Sequence, residues 1–327
     1  MQANPHDVLA VFAAKSNIIV EPQAQAAVPP TMPPTATVTV TEPAREPSEW
    51  DTIRRIIERH IDGMPRSMQK EIGPSELGTD CLHCLAAKLA GWAQNRQVAW
   101  LPYIGTSVHK AFEHLFDNLD EMVTIDSELH QKRRWEAEMR VPVGEIHGLA
   151  GKTQVNGSID LYDRLTSRTI DWKIVGPTTI RNAKANGPSQ QYLIQASLYG
   201  IGLNHVGETV SHNCIYFLPR NDNSLTAALP VEIPFDPQPG QWALNRANML
   251  AMFLDLIENA DGPDMRDAWI HSLPKSASHC FQCGTWPDDR LDDLSTLNQD
   301  YPTPPERWQA LTSLLEPEYK PKKQENK

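Results

Sequence analysis

Two aspartates and a lysine stand among largely apolar residues in a segment that reads as a β-hairpin. Residues 157–176 have the sequence GSIDLYDRLTSRTIDWKIVG, which contains Asp160, Asp171 and Lys173. Because side chains alternate across a strand, all three can project from the same face. Carboxylates on neighbouring strands can bind one hard cation such as Mg²⁺ or Mn²⁺, and a lysine beside them can meet negative charge developing on a phosphate. A hairpin with one solvated face has the same alternation, so the segment alone leaves both interpretations open.

The elements around this hairpin are predicted from their apolar periodicity. The opposite face of the hairpin is expected to be apolar and to pack on the core through Ile159, Leu161, Ile170, Trp172 and Ile174. The segment GTSVHKAFEHLFDNL predicts a helix that carries His109, and SQQYLIQASLYGIGLNH predicts another with Gln195 one turn before Tyr199. Helices and strands alternate without a repeat, which favours an α/β domain with a central mixed sheet flanked by helices.

Four short motifs follow one another along the chain. They are Gly105-x-x-x-His109, Gly157-x-x-Asp160, Asp171-Trp172-Lys173 and Gln195-x-x-x-Tyr199. In this order they resemble the PD-(D/E)XK nuclease superfamily, specifically its RecB-like exonuclease branch, which includes CRISPR-associated RecB-like nucleases. The resemblance covers about residues 75–283 and implies a restriction-endonuclease-like core. One departure is Ile159, which stands before Asp160 where the superfamily's name has proline.

The resemblance also implies a role for each motif residue. The implied metal ligands are His109, Asp160, Asp171 and the backbone carbonyl of Trp172. Lys173 would be the catalytic lysine, and Gln195 and Tyr199 would face the DNA and orient the phosphate or the lysine. Either Glu136 or Glu138, just before the apolar run MRVPV, could add a carboxylate, and the sequence does not choose between them.

The five cysteines form two C-x-x-C pairs and one single residue. The pairs are Cys81 with Cys84 and Cys280 with Cys283, whereas Cys214 lies in the apolar run CIYFLP and is expected in the core. In a reducing compartment this spacing favours a metal site over a disulfide framework. Four thiolates could bind one Zn²⁺ or a [4Fe-4S] cluster, and either would tie together the two ends of the domain.

The resemblance favours the cluster, because several RecB-like nucleases carry a [4Fe-4S] cluster whose ligands flank the nuclease core. Their cysteines usually divide one and three between the two sides, whereas this chain divides them two and two. Structural Zn²⁺ is therefore the alternative. His83 and His279 stand beside the pairs and could replace a thiolate.

Composition and charge bound the rest of the chain. Residues 1–48 are rich in Pro, Ala and Thr and are predicted to be a disordered leader. Residues 49–315 are predicted to form the nuclease domain, and residues 316–327 are predicted to be a disordered tail. No signal peptide, membrane anchor or Gly-rich phosphate loop is recognisable, so a cytoplasmic protein without nucleotide hydrolysis is expected. The net charge of -11 argues against simple wrapping of nucleic acid but is compatible with a local basic groove.

Two functional hypotheses follow. The first is a Mg²⁺- or Mn²⁺-dependent DNA exonuclease of recombination, replication or repair, acting on single-stranded ends beside recombination or helicase partners. Basic residues expected to guide its DNA are Lys152, Arg164, Arg168, Arg181 and Lys184. The alternative is a non-catalytic nucleic-acid-binding or assembly subunit of a helicase–nuclease or recombination complex, which would be free to lose the acidic residues or the lysine. A zinc hydrolase is disfavoured because H-E-x-x-H is absent.

Overall fold

The computed structural model describes residues 49–64, 72–94, 99–125, 130–148, 151–276, 280, 282–286 and 302–321. The predicted leader, residues 1–48, lies outside the described residues, as do His279 and residues 322–327. Among the residues that the structure describes, no helix is both long and apolar enough to cross a bilayer.

The described residues form alternating helices and strands. In chain order these are α1 (Glu49–Asp62), α2 (Pro74–Leu77), α3 (Leu82–Leu89), α4 (Trp100–Asp117), β1 (Met122–Ile125), β2 (His130–Arg133), β3 (Trp135–Gly148), β4 (Gly151–Asp163), β5 (Arg168–Val175), α5 (Pro177–Asn186), α6 (Gln190–His205), β6 (His212–Pro219), β7 (Leu229–Pro234), α7 (Gln238–Asp261), α8 (Pro263–Ser272) and α9 (Glu306–Thr312), with 3-10 turns at Leu225–Ala227 and Cys283–Thr285.

The central sheet has five strands in the order β3-β4-β5-β6-β7. Strands β5 and β6 run parallel, and the other neighbours are antiparallel. A parallel pair needs a crossover connection, which α5 and α6 supply. The predicted mixed sheet flanked by helices is confirmed, whereas its assignment to the restriction-endonuclease-like fold stays a prediction.

Apolar clusters hold the sheet between helices, and two of them contain buried residues of β4. The larger joins residues of β3 and β4, such as Val143 and Ile159, to α6 and α7 through side chains such as Leu198 and Leu250. A second cluster contains Leu161, Ile170 and Cys214, with Phe116 of α4 and Trp172 of β5 packed against it. The expected core position of Cys214 is confirmed, since its side chain is buried. Helices α4 and α6 are thus fixed against the two strands that carry the predicted site.

The prediction that the apolar residues of the hairpin all lie on one face is wrong for Ile159. Ile159 packs in the larger cluster and Leu161 in the second, although regular alternation would give them one face. Between their partners Met139 and Ala137 stands Glu138, whose φ of 47° lies in the left-handed region that residues with a Cβ seldom adopt. We attribute the change of face to this irregular backbone, which interrupts the ladder opposite Asp160.

The predicted disordered tail also differs from the structure, because residues 316–321 pack on the folded unit. Pro317 O accepts hydrogen bonds from Gln190 Nε2 at 3.1 Å and Arg246 Nη1 at 2.9 Å. Tyr319 N donates to Gln190 Oε1 at 2.7 Å, and the Tyr319 ring lies 5.7 Å from that of Trp242. A polar composition predicted disorder, but these side chains satisfy the backbone of the segment and bury part of it.

Candidate functional site

Strands β4 and β5 separate at Asp160, and its side chain fills the gap. Their backbone pairing extends to Leu161↔Ile170, and immediately beyond it Trp172 N donates to Asp160 Oδ2 at 2.7 Å. His109 of α4 lies over the same point, with Nδ1 at 3.2 Å from Asp160 Oδ1 and Nε2 donating to Trp172 O at 3.0 Å. The carbonyl predicted as a metal ligand is therefore next to His109, held in place because Phe112 and Phe116 pack on the Trp172 ring.

Glu138, rather than Glu136, is the additional carboxylate at this point. Ligand atoms of His109, Glu138 and Asp160 all lie within 4.8 Å of one another. Ser158 Oγ donates to Glu138 Oε2 at 2.6 Å, whereas Glu136 Oε2 pairs with Arg164 Nη1 at 2.9 Å. Burial raises the pKa of the Glu138 carboxyl, and the nearby Asp160 raises it further. Glu138 is thus a negative charge that a cation would stabilise.

Asp171, which is buried, forms an ion pair with the partly buried Lys173 beneath helix α6. Lys173 Nζ lies 2.6 Å from Asp171 Oδ2 and donates to Gln195 Oε1 at 2.9 Å. Gln195 Nε2 lies 3.4 Å from Asp171 Oδ1. Burial raises the pKa of Asp171 to about 6, against the opposing influence of Lys173. The two predicted carboxylates are therefore held from different directions, Asp160 by α4 and Asp171 by α6, so they do not form the simple shared face expected of the hairpin.

Tyr199 is buried next to Gln195, which does not favour the predicted direct contact with DNA. Its side chain is 5% exposed and lies in the larger cluster. The hydroxyl accepts from Gln195 Nε2 at 2.7 Å, so it fixes which way the Gln195 amide points. A Cβ at Gly157 would come within 2.8 Å of the Tyr199 ring, which explains the glycine in the second motif. Gln195 fits the predicted role of orienting the lysine, and Tyr199 orients Gln195.

Sequence reasoning missed Tyr192, whose ring lies 4.6 Å from Lys173 Nζ. This is cation–π distance, and the ring is itself held against Phe217. Its spacing of three residues from Gln195 on α6 puts both residues on one helix face and could have identified it. Lys173 is therefore held by a carboxylate, an amide and an aromatic face.

The donor set suits a hard divalent cation. Two carboxylates, those of Glu138 and Asp160, converge with the His109 imidazole, and the Asp171 carboxylate and the Trp172 backbone carbonyl lie at the border of this group. Oxygen-rich sets of this kind favour Mg²⁺ or Mn²⁺ over softer metals. The raised pKa values of Glu138 and Asp171 show that burial and like-charge repulsion oppose their ionisation. A divalent cation would relieve that repulsion. We refer to these residues together with Lys173 as the acidic site.

The four predicted cysteine ligands come together in a second site, the cysteine centre. Cys81 and Cys84 lie at the start of α3, and Cys280 and Cys283 lie at the short 3-10 turn. Sulfur–sulfur distances are 3.5 Å for Cys81–Cys283, 3.6 Å for Cys84–Cys280 and 3.4 Å for Cys84–Cys283. The neighbouring sulfurs lower the pKa of Cys81 and raise that of Cys84, and burial raises the pKa of Cys283. Several thiolates this close together repel one another, and a bound cation would relieve that repulsion.

His83 and Trp286 border the sulfurs. The His83 side chain is fully buried, with Nδ1 at 3.9 Å from Cys84 Sγ and 4.0 Å from Cys283 Sγ. Trp286 Nε1 donates to Cys84 Sγ at 3.3 Å, a contact of the kind that orients a metal ligand. This buried group of cysteines and a histidine could hold a metal ion or cluster.

Comparisons with known proteins add little to this geometry. No protein-family model matches the sequence, and no curated protein does. A solved structure described as the crystal structure of SSO0001 aligns with a TM-score of 0.40 and 16% identity, covering 61% of this chain and 86% of that chain. A likeness at this level carries no functional conclusion, so function is inferred from the two sites.

Proposed function

We propose that this protein is a metal-dependent nuclease that hydrolyses phosphodiester bonds in DNA at the acidic site. The observation that carries the proposal is that Lys173 Nζ binds the buried Asp171 carboxylate and Gln195, while the charges on Asp160 and His109 influence the pKa of Asp171. Three possible cation ligands lie within 4.8 Å of one another there. Those ligands are His109, Glu138 and Asp160. An ordinary solvated hairpin face gives no reason for a carboxylate as buried as Asp171, which is 4% exposed.

The residues of the acidic site would have two roles, binding the cation and positioning the substrate phosphate. His109, Glu138, Asp160 and Asp171 would hold one or two divalent cations. When bound, such a cation supplies Lewis-acid chemistry, stabilising negative charge on the phosphoryl oxygens. Lys173 has three N–H donors, of which Asp171 and Gln195 engage two, and the third can donate to a phosphoryl oxygen or an attacking water. Gln195 and Tyr192 keep the ammonium in that position.

The basic residues named from sequence are not equally available to DNA. Ion pairs engage three of them, Lys152 with Glu145, Arg164 with Glu136 and Glu208, and Arg168 with Glu232. Arg181 and Lys184 are exposed on α5, which begins four residues after Lys173, and Arg220 is exposed at the end of the parallel neighbour β6. We propose that these last three contact the DNA backbone. Action at single-stranded ends is an expectation from the resemblance to RecB-like exonucleases.

The experiment that tests this function compares two neighbouring glutamates. Full-length protein is incubated with end-labelled single-stranded and duplex DNA in Mg²⁺ or Mn²⁺. Glu138→Gln is expected to slow cleavage about 10²-fold and to weaken Mg²⁺ binding, because it removes a ligand charge from the acidic site. Glu136→Gln, two residues away on β3, loses only the ion pair with Arg164 and should retain wild-type cleavage.

Equal cleavage by both glutamate variants would overturn the proposed site. Wild-type protein that binds DNA but cleaves it with neither metal would instead favour the non-catalytic binding subunit.

For the cysteine centre, we propose one structural Zn²⁺ held by Cys81, Cys84, Cys280 and Cys283. A tetrahedral ion with Zn–S bonds of about 2.3 Å places its sulfurs about 3.8 Å apart. The separations of 3.4–3.6 Å approach that value. A [4Fe-4S] cluster, which the resemblance implies, attaches each thiolate to a different iron and so spreads the sulfurs more widely. Zinc is therefore favoured by the geometry of these side chains.

Anaerobic purification followed by metal analysis separates these alternatives. The zinc proposal predicts a colourless protein with one zinc per chain. A brown protein with iron and acid-labile sulfide would contradict it and support the cluster.

A further inference from the structure

We infer that His83 is an alternative fourth ligand of the cysteine centre, able to replace Cys280 without release of the metal. The inference rests on the metal centre proposed above and is independent of the nuclease activity. It concerns an exchange between two residues that approach the same three sulfurs.

The three shared sulfurs are those of Cys81, Cys84 and Cys283. Cys280 completes one set of four, with its sulfur 3.6 Å from Cys84 Sγ. His83 completes another, since the ligand atoms of His83 and the three shared cysteines all lie within 4.8 Å of one another. A tetrahedral site with one imidazole has sulfur–nitrogen separations of about 3.6 Å, calculated from bonds of about 2.3 and 2.1 Å. The observed 3.9 and 4.0 Å are close to that geometry.

The two candidates for the fourth position differ in burial. His83 is completely buried on α3, and its backbone N–H donates to Pro274 O at 3.3 Å, which anchors that turn of the helix. Cys81 and Cys84 are buried on the same segment. Cys280 and Cys283 are both partly buried, and of these two Cys280 borders a surface cavity, together with Asp80 and Gln282. Water and small reagents can therefore reach the one thiolate for which a substitute ligand is already in place.

The ligand exchange conserves protons and charge and needs no oxidant or reductant. In the exchange the Cys280 thiolate would leave the metal and take up a proton from solvent, while the neutral His83 ring, with its proton on Nε2, would donate the Nδ1 lone pair. The ligand set would change from four thiolates to three thiolates and one imidazole, and so would carry one negative charge fewer. Zinc accepts both ligand sets in structural sites. The centre would thus keep its ion when Cys280 is chemically modified.

Metal affinity in matched variants tests the exchange. We compare wild-type protein with Cys280→Ser, His83→Gln and the double variant, using competition with a chelator and the charge-transfer absorption of Co²⁺-substituted protein. Cys280→Ser should bind one ion about 10- to 100-fold more weakly than wild type, with a spectrum of three thiolates. The metal affinity of the double variant should be lower by at least a further factor of about 10, because no fourth protein ligand remains.

Two outcomes separate the inference from the centre on which it depends. Wild-type protein that binds no metal would contradict the cysteine centre itself and the inference with it. Wild-type protein that binds the ion, while Cys280→Ser and the double variant bind it equally weakly, would contradict the inference alone.

A second measurement does not depend on the folding of the Cys280→Ser variant. Wild-type protein is titrated with a thiol-alkylating reagent while bound zinc and modified residues are followed by mass spectrometry. Cys280 should be alkylated first with zinc retained, whereas in His83→Gln alkylation of Cys280 should release zinc. Zinc release at the first alkylation in both proteins would overturn the inference.

Discussion

The acidic site and the cysteine centre both join residues that are distant in sequence, but the protein holds them together in different ways. At the acidic site, residues on helices and strands form two direct pairs, His109 with Asp160 at 3.2 Å and Lys173 with Asp171 at 2.6 Å. At the cysteine centre, sulfurs meet at 3.4–3.6 Å, and one pair lies at a short 3-10 turn. From this difference we predict that the acidic site keeps its arrangement without a cation, whereas the stability of the cysteine centre depends on a bound metal.

The largest expected effect follows from that dependence. Cys84→Ser should lower the free energy of unfolding by several kcal/mol, because a structural metal contributes its binding energy to folding. The matched control Cys214→Ala removes a buried thiol outside the centre and should cost about 1 kcal/mol. Chemical denaturation of both variants measures the difference, and similar losses would show that the cysteine centre contributes nothing special to stability.

A smaller effect concerns pH and the acidic site without its cation. Because burial raises the folded pKa of Asp171 to about 6, above an unfolded value of about 3.9, the folded protein binds the extra proton. Stability from this proton is present below about pH 4 and is lost as pH rises to about 6, in total about 3 kcal/mol.

The measurement subtracts the behaviour of Asp171→Asn, which cannot titrate. In magnesium-free buffer the wild type should gain stability relative to this variant as pH falls from about 7 to about 4.5, and Mg²⁺ should reduce that gain. Parallel pH profiles for the two proteins would argue against a raised pKa at Asp171.

The sequence predicted those contacts of each site that join residues close together in the chain, and it missed those that depend on tertiary packing. Strand alternation and one helical turn suffice to associate Asp171 with Lys173 and Gln195 with Tyr199. The choice of Glu138 over Glu136 depends on a φ of 47° that no local pattern signals. The contact of Tyr192 with Lys173 depends on where α6 crosses β5, which is a matter of tertiary packing.

The cysteine pairs likewise show that the sequence can predict ligands without predicting the distances between them. Their spacing predicted the ligands, but the sulfur distances that favour one ion over a cluster arise only when chain segments almost two hundred residues apart pack together. Likewise, composition predicted a disordered tail from residue 316, and only the fold brings Gln190 and Arg246 to the Pro317 carbonyl.

Tyr192 provides an intermediate test of how firmly the acidic site is organised. Tyr192→Ala should lower kcat about 5- to 10-fold, because Lys173 loses a cation–π contact of about 1 kcal/mol. Tyr192→Phe keeps the aromatic face and should restore most of the rate. If Tyr192→Phe lowers kcat as much as Tyr192→Ala does, the aromatic ring does not position Lys173.

The smallest expected effect is at Gly105, one helical turn before His109. A Cβ there would meet no heavy atom within 4 Å, so Gly105→Ala should stabilise α4 by about 0.5–1 kcal/mol. If the open space admits the DNA backbone, the same variant should raise KM while Mg²⁺ affinity is unchanged. An unchanged KM would show that substrate does not approach over this turn.

The most direct test of the acidic site as a nuclease uses another D/E-x-K sequence of the chain, Glu318-Tyr319-Lys320, as an internal control. Lys173 and Lys320 each follow an acidic residue by two positions, but Lys320 is exposed near the end of the described chain. The measurement is the rate at which Lys173→Met and Lys320→Met digest end-labelled DNA in Mg²⁺, with both proteins shown to fold. We predict that Lys173→Met is at least about 10²-fold slower than wild type while Lys320→Met is unchanged; equal rates for the two variants would contradict the assignment.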